Sequence, residues 1–199
     1  MQYFKNKLHG GHMFLFKKQK QQPYSKEDMF VFYSKLVAQA RQPAFYTDLH
    51  IPDTIDGRFE MILLHVFMII HLFKGKSETD DQFCQDLFDT FFADMDRNFR
   101  EMGVGDLSVG KKVKKMAESF YGRAFAYDDA LAKPNAAATA DLTQAILKNI
   151  YNLNDQHQMV ANRLALYTQN QIKLLQTDSF RSLMNKNPLY PLNFLENLN

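Results

Sequence analysis

Cysteine is almost missing from this chain. Cys84 stands alone, so neither an internal disulfide framework nor a cysteine-based zinc site is available. Its neighbours Phe83, Leu87 and Phe88 mark it as a buried, inert thiol. The lack of cysteine pairs fits a reducing compartment. Tryptophan is absent. Glycine and proline number 8 and 6 in 199 residues, too few for a turn-rich β fold. No strand-like alternation of useful length occurs, and no internal repeat. No apolar run is long enough to cross a bilayer. The most apolar stretch, residues 61–70, is interrupted by His65 and stops at His71. It reads as the buried central helix of a protein that is soluble or peripheral at a membrane. The net charge of +2 is too small to imply nucleic acid, and no DNA partner is expected.

What the chain has in quantity is phenylalanine, 18 residues of it, within a 46% hydrophobic composition. That is enough for one real core in one domain. Apolar residues recur at helical spacing through most of the sequence. Ser25-Lys-Glu-Asp28 is a capping-box start for a first helix carrying Met29, Phe32, Tyr33, Leu36, Val37 and Ala40, which Pro43 stops. Residues 44–50 link to a second helix, for which Asp53 is the expected cap. Ile55, Phe59, Ile62, Leu63, Val66, Ile69, Ile70 and Phe73 form its face, and Gly75 its end. A third helix is expected over residues 78–102, with Phe83, Leu87, Phe91, Met95, Phe99 and Met102 in its stripe. A fourth starts after Ser108, as its cap, and carries Val109, Val113, Met116, Phe120, Ala124, Tyr127 and Leu131. Residues 136–152 and 157–176 read as two more, with Leu142, Ile146, Ile150 and Leu153, then Val160, Leu164, Tyr167, Leu174 and Leu175 apolar. The expectation is an all-α, single-domain bundle of about six helices over residues 25–177. A basic tail (1–24) precedes it, and a C-terminal tail (178–199), docked or flexible, follows.

Residues 1–26 contain no acid but six lysines: Lys5, Lys7, Lys17, Lys18, Lys20 and Lys26. The absence of Arg, and of Ser before Ser25, is unlike a transit peptide. Two readings stand, a dispensable tail and a contact with an anionic membrane surface through lysines beside Phe14, Leu15 and Phe16.

The stretch GDLSVGKK (105–112) imitates a phosphate-binding loop. Such a loop needs Ser or Thr after its lysine to bind magnesium, and Lys112 stands there. It must also follow a β-strand, and here a Phe-rich helix precedes it. Its glycines instead suit a helix end and a tight turn, Gly103 and Gly105 supplying positive φ. Lys111, Lys112, Lys114 and Lys115 then occupy the first turns of a helix, where the dipole disfavours cations. They form either a solvated basic face or a site for an acidic partner, RNA or lipid headgroups. Asp94, Asp96 and Asn98 imitate a calcium loop, but its glycine is Phe99 and its final Glu is Gly105. Asp94, Asp96 and Glu101 read instead as helix-surface partners of Arg97 and Arg100. His65 and His71, six apart, do not share a helix face as metal ligands would. No nucleophile motif accompanies the Ser, His and Asp residues, so neither catalysis nor a cofactor is expected.

Several ordered blocks carry a family resemblance: Pro43-Ala-Phe-Tyr46, PDTIDGRFE (52–60), LFDTFFADMDR (87–97) and REMGVGDLSVGKKVKKMAESFYGR (100–123), the last the most specific. Over residues 25–176 the chain resembles the ubiquinol–cytochrome c chaperone family, the Cbp3-type assembly factors of the cytochrome bc complex. The resemblance implies an all-helical, non-enzymatic chaperone that binds newly made cytochrome b. It further implies a place near the ribosome exit and the membrane, beside a small helical co-chaperone. The chain looks closer to bacterial members. That implies the cytoplasm, peripheral at the inner membrane, or the mitochondrial matrix side in a eukaryote. Met13-Phe-Leu-Phe-Lys-Lys18 resembles the start of such members, which leaves Met1 and Met13 both open as the first residue. The partner-binding candidates are Lys111, Lys112, Lys114, Lys115 and Arg123, with Asp106 for positioning. Two other readings stay open: an all-helical enzyme acting on an isoprenoid or other lipid, and a heme carrier using His65 or His71.

Overall fold

Six long helices build a bundle in which one helix is central. The structure, a computed structural model, describes residues 23–186 and Leu189. The basic tail and its proposed membrane contact therefore lie outside the described residues, as do Pro188 and Pro191. In chain order the helices are α1 (Lys26–Ala40), α2 (Pro43–Thr47), α3 (Ile55–Phe73), α4 (Glu78–Glu101), α5 (Asp106–Leu131), α6 (Asn135–Ile150), α7 (Gln158–Leu175) and α8 (Phe180–Asn185). A single 3₁₀ turn, Asp155–His157, leads into α7. The described residues contain no β-strand.

Local chemistry accounts for most boundaries. Ser25 and Asp28 exchange both bonds of a capping box at 3.1 and 2.8 Å. Ser77 caps α4 by accepting the N–H of Asp80. Gly75 and Gly103 take φ of +79° and +78°, closing α3 and α4 where a side chain would be strained.

Four expectations are corrected. Thr54, not Asp53, caps α3: its hydroxyl accepts the N–H of Gly57 at 3.1 Å. Asp53 is drawn aside by Arg58, whose Nε donates to it at 2.6 Å. Helix α5 starts at Asp106 behind Gly105, so Ser108 lies within it and caps nothing. Gly105 has φ −60°, so its backbone needs no glycine. The linker after α1 also contains a short helix. Pro43 opens α2 at its first turn, where its missing N–H costs nothing.

Helix α3 is the hub, and every residue from 61 to 70 is buried. It packs against α1, α4, α5, α6 and α7. Its entry is tight at Gly57, where a Cβ would lie 2.0 Å from the carbonyl oxygen of Pro52. Aromatic rings fill the space beside it. Phe59 stacks on Phe91 at 5.6 Å, and Phe120 meets Phe88 edge-on at 5.3 Å. Cys84 is buried as expected, and burial pushes its thiol up to about 12. In the C-terminal segment, Phe180 and Leu183 of α8 are buried against the body. Phe99 is only half-buried, and Met102, Leu153 and Leu174 are exposed at the ends of their stripes.

Candidate functional site

The turn from α4 into α5 holds most of the candidate residues. Arg100 ties its two sides together, donating to Asp96 at 2.6 Å within α4 and pairing with Asp106 at the start of α5. Asp106 thus holds the turn and also places a carboxylate at the helix N-terminus, where the dipole favours it. The α4 ion pairs Arg97–Asp94 and Arg97–Glu101 form as the spacing implied.

Lys111, Lys112, Lys114 and Lys115 are all exposed. Helical geometry divides them, because each residue advances about 100° around the axis. Lys111 and Lys114 lie on the line through Leu107, opposite the buried stripe of Val109, Phe120 and Tyr127, and Lys115 lies beside them. Lys112 turns toward α4, with its Nζ 5.5 Å from the centre of the Phe99 ring.

Arg123 does not join the lysines. It faces inward and grips Glu60 of α3 with two bonds of 2.6 and 2.5 Å. Glu60 is only 8% exposed, and Arg123 21%. Burial raises the Glu60 carboxyl above its ordinary value, and the guanidinium opposes that rise. Sequence reasoning missed Glu60. Its signal was present: a lone carboxylate next to the apolar run 61–70 needs a cation from elsewhere.

Beside Arg123, a cleft of about 260 Å³ between α5 and α6 is lined by Ser119, Gly122, Ala126, Lys148 and Asn149. Its walls mix glycine and alanine, Ala145 included, with polar and charged side chains, unlike the wholly apolar tunnel that an isoprenoid needs.

Both histidines of α3 make side-chain hydrogen bonds. His65 is fully buried, with Nδ1 2.7 Å from the Met61 carbonyl and Nε2 2.8 Å from the Tyr167 hydroxyl. Its Nδ1–H therefore donates to Met61, and Nε2 accepts from Tyr167. Both nitrogens are used, which leaves none for a heme iron. Gln39 joins this network by donating to the Tyr167 hydroxyl at 3.3 Å. His71 pairs with Asp128 at 2.7 Å. Among the described residues, no group of three or more His, Cys, Asp or Glu is placed to hold a metal ion.

Burial lowers His65 from its ordinary 6.5 to about 4. The folded state thus favours the neutral ring. The resulting stability is fully present above pH 6.5 and is lost as pH falls toward 4. Denaturant titrations across that window should show about 3 kcal/mol of acid destabilisation from this group. His65→Gln should flatten most of that slope; an unchanged slope would refute the assignment.

Residues 47–190 match the ubiquinol-cytochrome C chaperone family. The chain belongs to that family. A crystal structure of the Cbp3 homolog from Brucella abortus is similar, with a TM-score of 0.70 and 35% identity over 80% of this chain and 86% of that one. Ubiquinol-cytochrome-c reductase complex assembly factor 1 of Xenopus laevis is 22% identical over 145 residues, 73% of this chain and 70% of that protein. Its Mus musculus counterpart is 23% identical over 167 residues, 78% of this chain. The chain spans only about half of the mammalian protein, 55% of its length. The family match begins within α2 and so includes the turn at Asp106, the lysines and the Glu60–Arg123 pair. Among the described residues, no helix of this family member is long and apolar enough to cross a membrane.

Proposed function

We propose that this protein is a non-enzymatic chaperone for assembly of the ubiquinol–cytochrome c reductase, and that it binds newly made cytochrome b beside the membrane. The observation that carries this reading is the family match over residues 47–190. The fold shared with the Cbp3 homolog and the assembly-factor names of the vertebrate relatives support it. The side chains agree with a binding role. His65 and Cys84, both shifted by burial, lie inside the core, where no substrate reaches them. Exposed apolar residues such as Met102 and Leu107 stand next to the lysines, a combination suited to a partner at a membrane. In this reading Lys112 contacts the client, Lys111, Lys114 and Lys115 face the membrane beside it, and Asp106 positions them through Arg100. Arg123 acts from within, by holding α5 on α3. The ribosome exit, a small helical co-chaperone and the inner face of the energy-conserving membrane belong to the same proposal.

A strain lacking the gene is expected to lose assembled reductase and to regain it from a plasmid copy. Normal levels of assembled complex in that strain would overturn the proposal. A photo-crosslinker at Lys112 in living cells is expected to capture cytochrome b; capture of unrelated proteins alone would remove the client assignment.

A further inference from the structure

Among the described residues, helix α5 carries a face that no packing explains. Leu107, Lys111, Lys114, Glu118, Gly122 and Phe125 lie along one line of the helix, and all are exposed. Leu107 is 90% exposed and Phe125 57%, unusual values for large apolar side chains. They stand at the two ends of the face, 18 residues or about 27 Å apart. Between them the charge is mostly positive: Lys111, Lys114 and the adjacent Lys115 against Glu118. The buried stripe of Val109, Phe120, Ala124 and Tyr127 faces the opposite way, into the core.

We infer that this face lies flat against an anionic lipid surface, with Leu107 and Phe125 inserted at its ends and the three lysines over lipid phosphates. The pattern is that of an interfacial helix, with apolar anchors that enter the headgroup boundary and cations that pair with it. Charge complementarity selects lipid over an apolar client helix, which would leave three lysines without counter-charge. The two widely spaced apolar anchors select lipid over RNA, to which Leu107 offers neither a charge nor a stacking ring. The inference rests on the membrane-proximal part of the proposed function and names the surface responsible. It also explains why lysines crowd a helix start that the dipole disfavours: phosphate groups there would offset the repulsion.

The lone cysteine makes the test direct. Cys84 is buried with a raised thiol, so an introduced surface cysteine can be labelled selectively. Full-length Leu107→Cys and Phe125→Cys, each carrying an environment-sensitive fluorophore, are mixed with vesicles of phosphatidylcholine and phosphatidylglycerol. Both labels are expected to shift to the blue, and neither should do so with phosphatidylcholine alone. A label at Asn170→Cys, on α7 and separated from α5 by α6, should stay unchanged. Lys111→Gln, Lys114→Gln and Lys115→Gln together should weaken vesicle partitioning about a hundredfold, from roughly fivefold per lysine. If the full chain binds vesicles while both labels stay unshifted, the N-terminal segment makes the contact and the inference fails. A shift at one position only would overturn the flat placement. Shifts produced by RNA but not by vesicles would overturn the choice of lipid. The assay contains no reductase subunit, so its failure leaves the assembly reading standing.

Discussion

Replacing Arg123 with alanine is expected to lower the unfolding free energy by about 3–5 kcal/mol, because it strands the Glu60 carboxylate inside the bundle. Two of the three guanidinium nitrogens bond Glu60, and the third reaches the Ser119 carbonyl at 3.3 Å. Without them the carboxyl keeps its burial cost and loses what offsets it. Its proton affinity then rises further. A carboxyl with a raised folded-state value binds more protons folded than unfolded, so stability falls as pH rises. The variant should therefore be closer to wild type near about pH 5 than near about pH 8. An equal loss at both, measured by urea titration, would sink the desolvation account. The double variant Glu60→Gln with Arg123→Met should recover most of the stability, since apolar packing commonly replaces a buried pair at little cost. That variant also separates two roles for Arg123. If it folds and still supports reductase assembly, Arg123 is an internal brace and no partner contact.

The helices were legible in the sequence because periodicity is a local property. The stripe Phe83, Leu87, Phe91, Met95 needs no knowledge of what it packs against. The caps were less legible, because Asp53 and Thr54 are both competent. The choice between them depends on Arg58, which claims the aspartate. The start of α5 was misplaced for a similar reason. Ser108 is the better cap by residue type, yet the helix begins at Asp106, three residues earlier than that cap would start it, and Asp106 pairs with Arg100. The candidate site was half legible. Four lysines against a helix dipole are visible in a string of letters, and so is an isolated glutamate beside an apolar run. That Glu60 meets Arg123 across 63 residues, or that His65 meets Tyr167 across 102, follows only from how α3 crosses α5 and α7. The exposed line from Leu107 to Phe125 was hidden differently. Phe125 looks like any other core phenylalanine until the buried side of α5 is known.

Phe83→Ala should be the most damaging single truncation in the core, at about 3–5 kcal/mol and roughly a 10 °C fall in melting temperature. Phe83 is fully buried where four helices and the residue before the first cap converge. Its ring stacks on Phe180 of α8 at 4.8 Å. It meets Phe32 of α1 at 5.5 Å, and Phe73 of α3 and Tyr24 at 5.8 Å. Deleting it opens a cavity that helices held from several sides cannot collapse to fill. The loss should also be uneven. α8 is a short helix held by Phe180 and Leu183 and by Lys35, which donates to the carbonyls of Met184 and Lys186 at 2.8 and 2.9 Å. With the stacking partner gone, hydrogen exchange at residues 180–185 should speed up far more than at the buried run 61–70. Uniform acceleration would mean that α8 unfolds only with the whole bundle. Phe83→Leu, which keeps most of the volume but not the ring, should fall between the two. It would thereby divide the loss between cavity and aromatic contact.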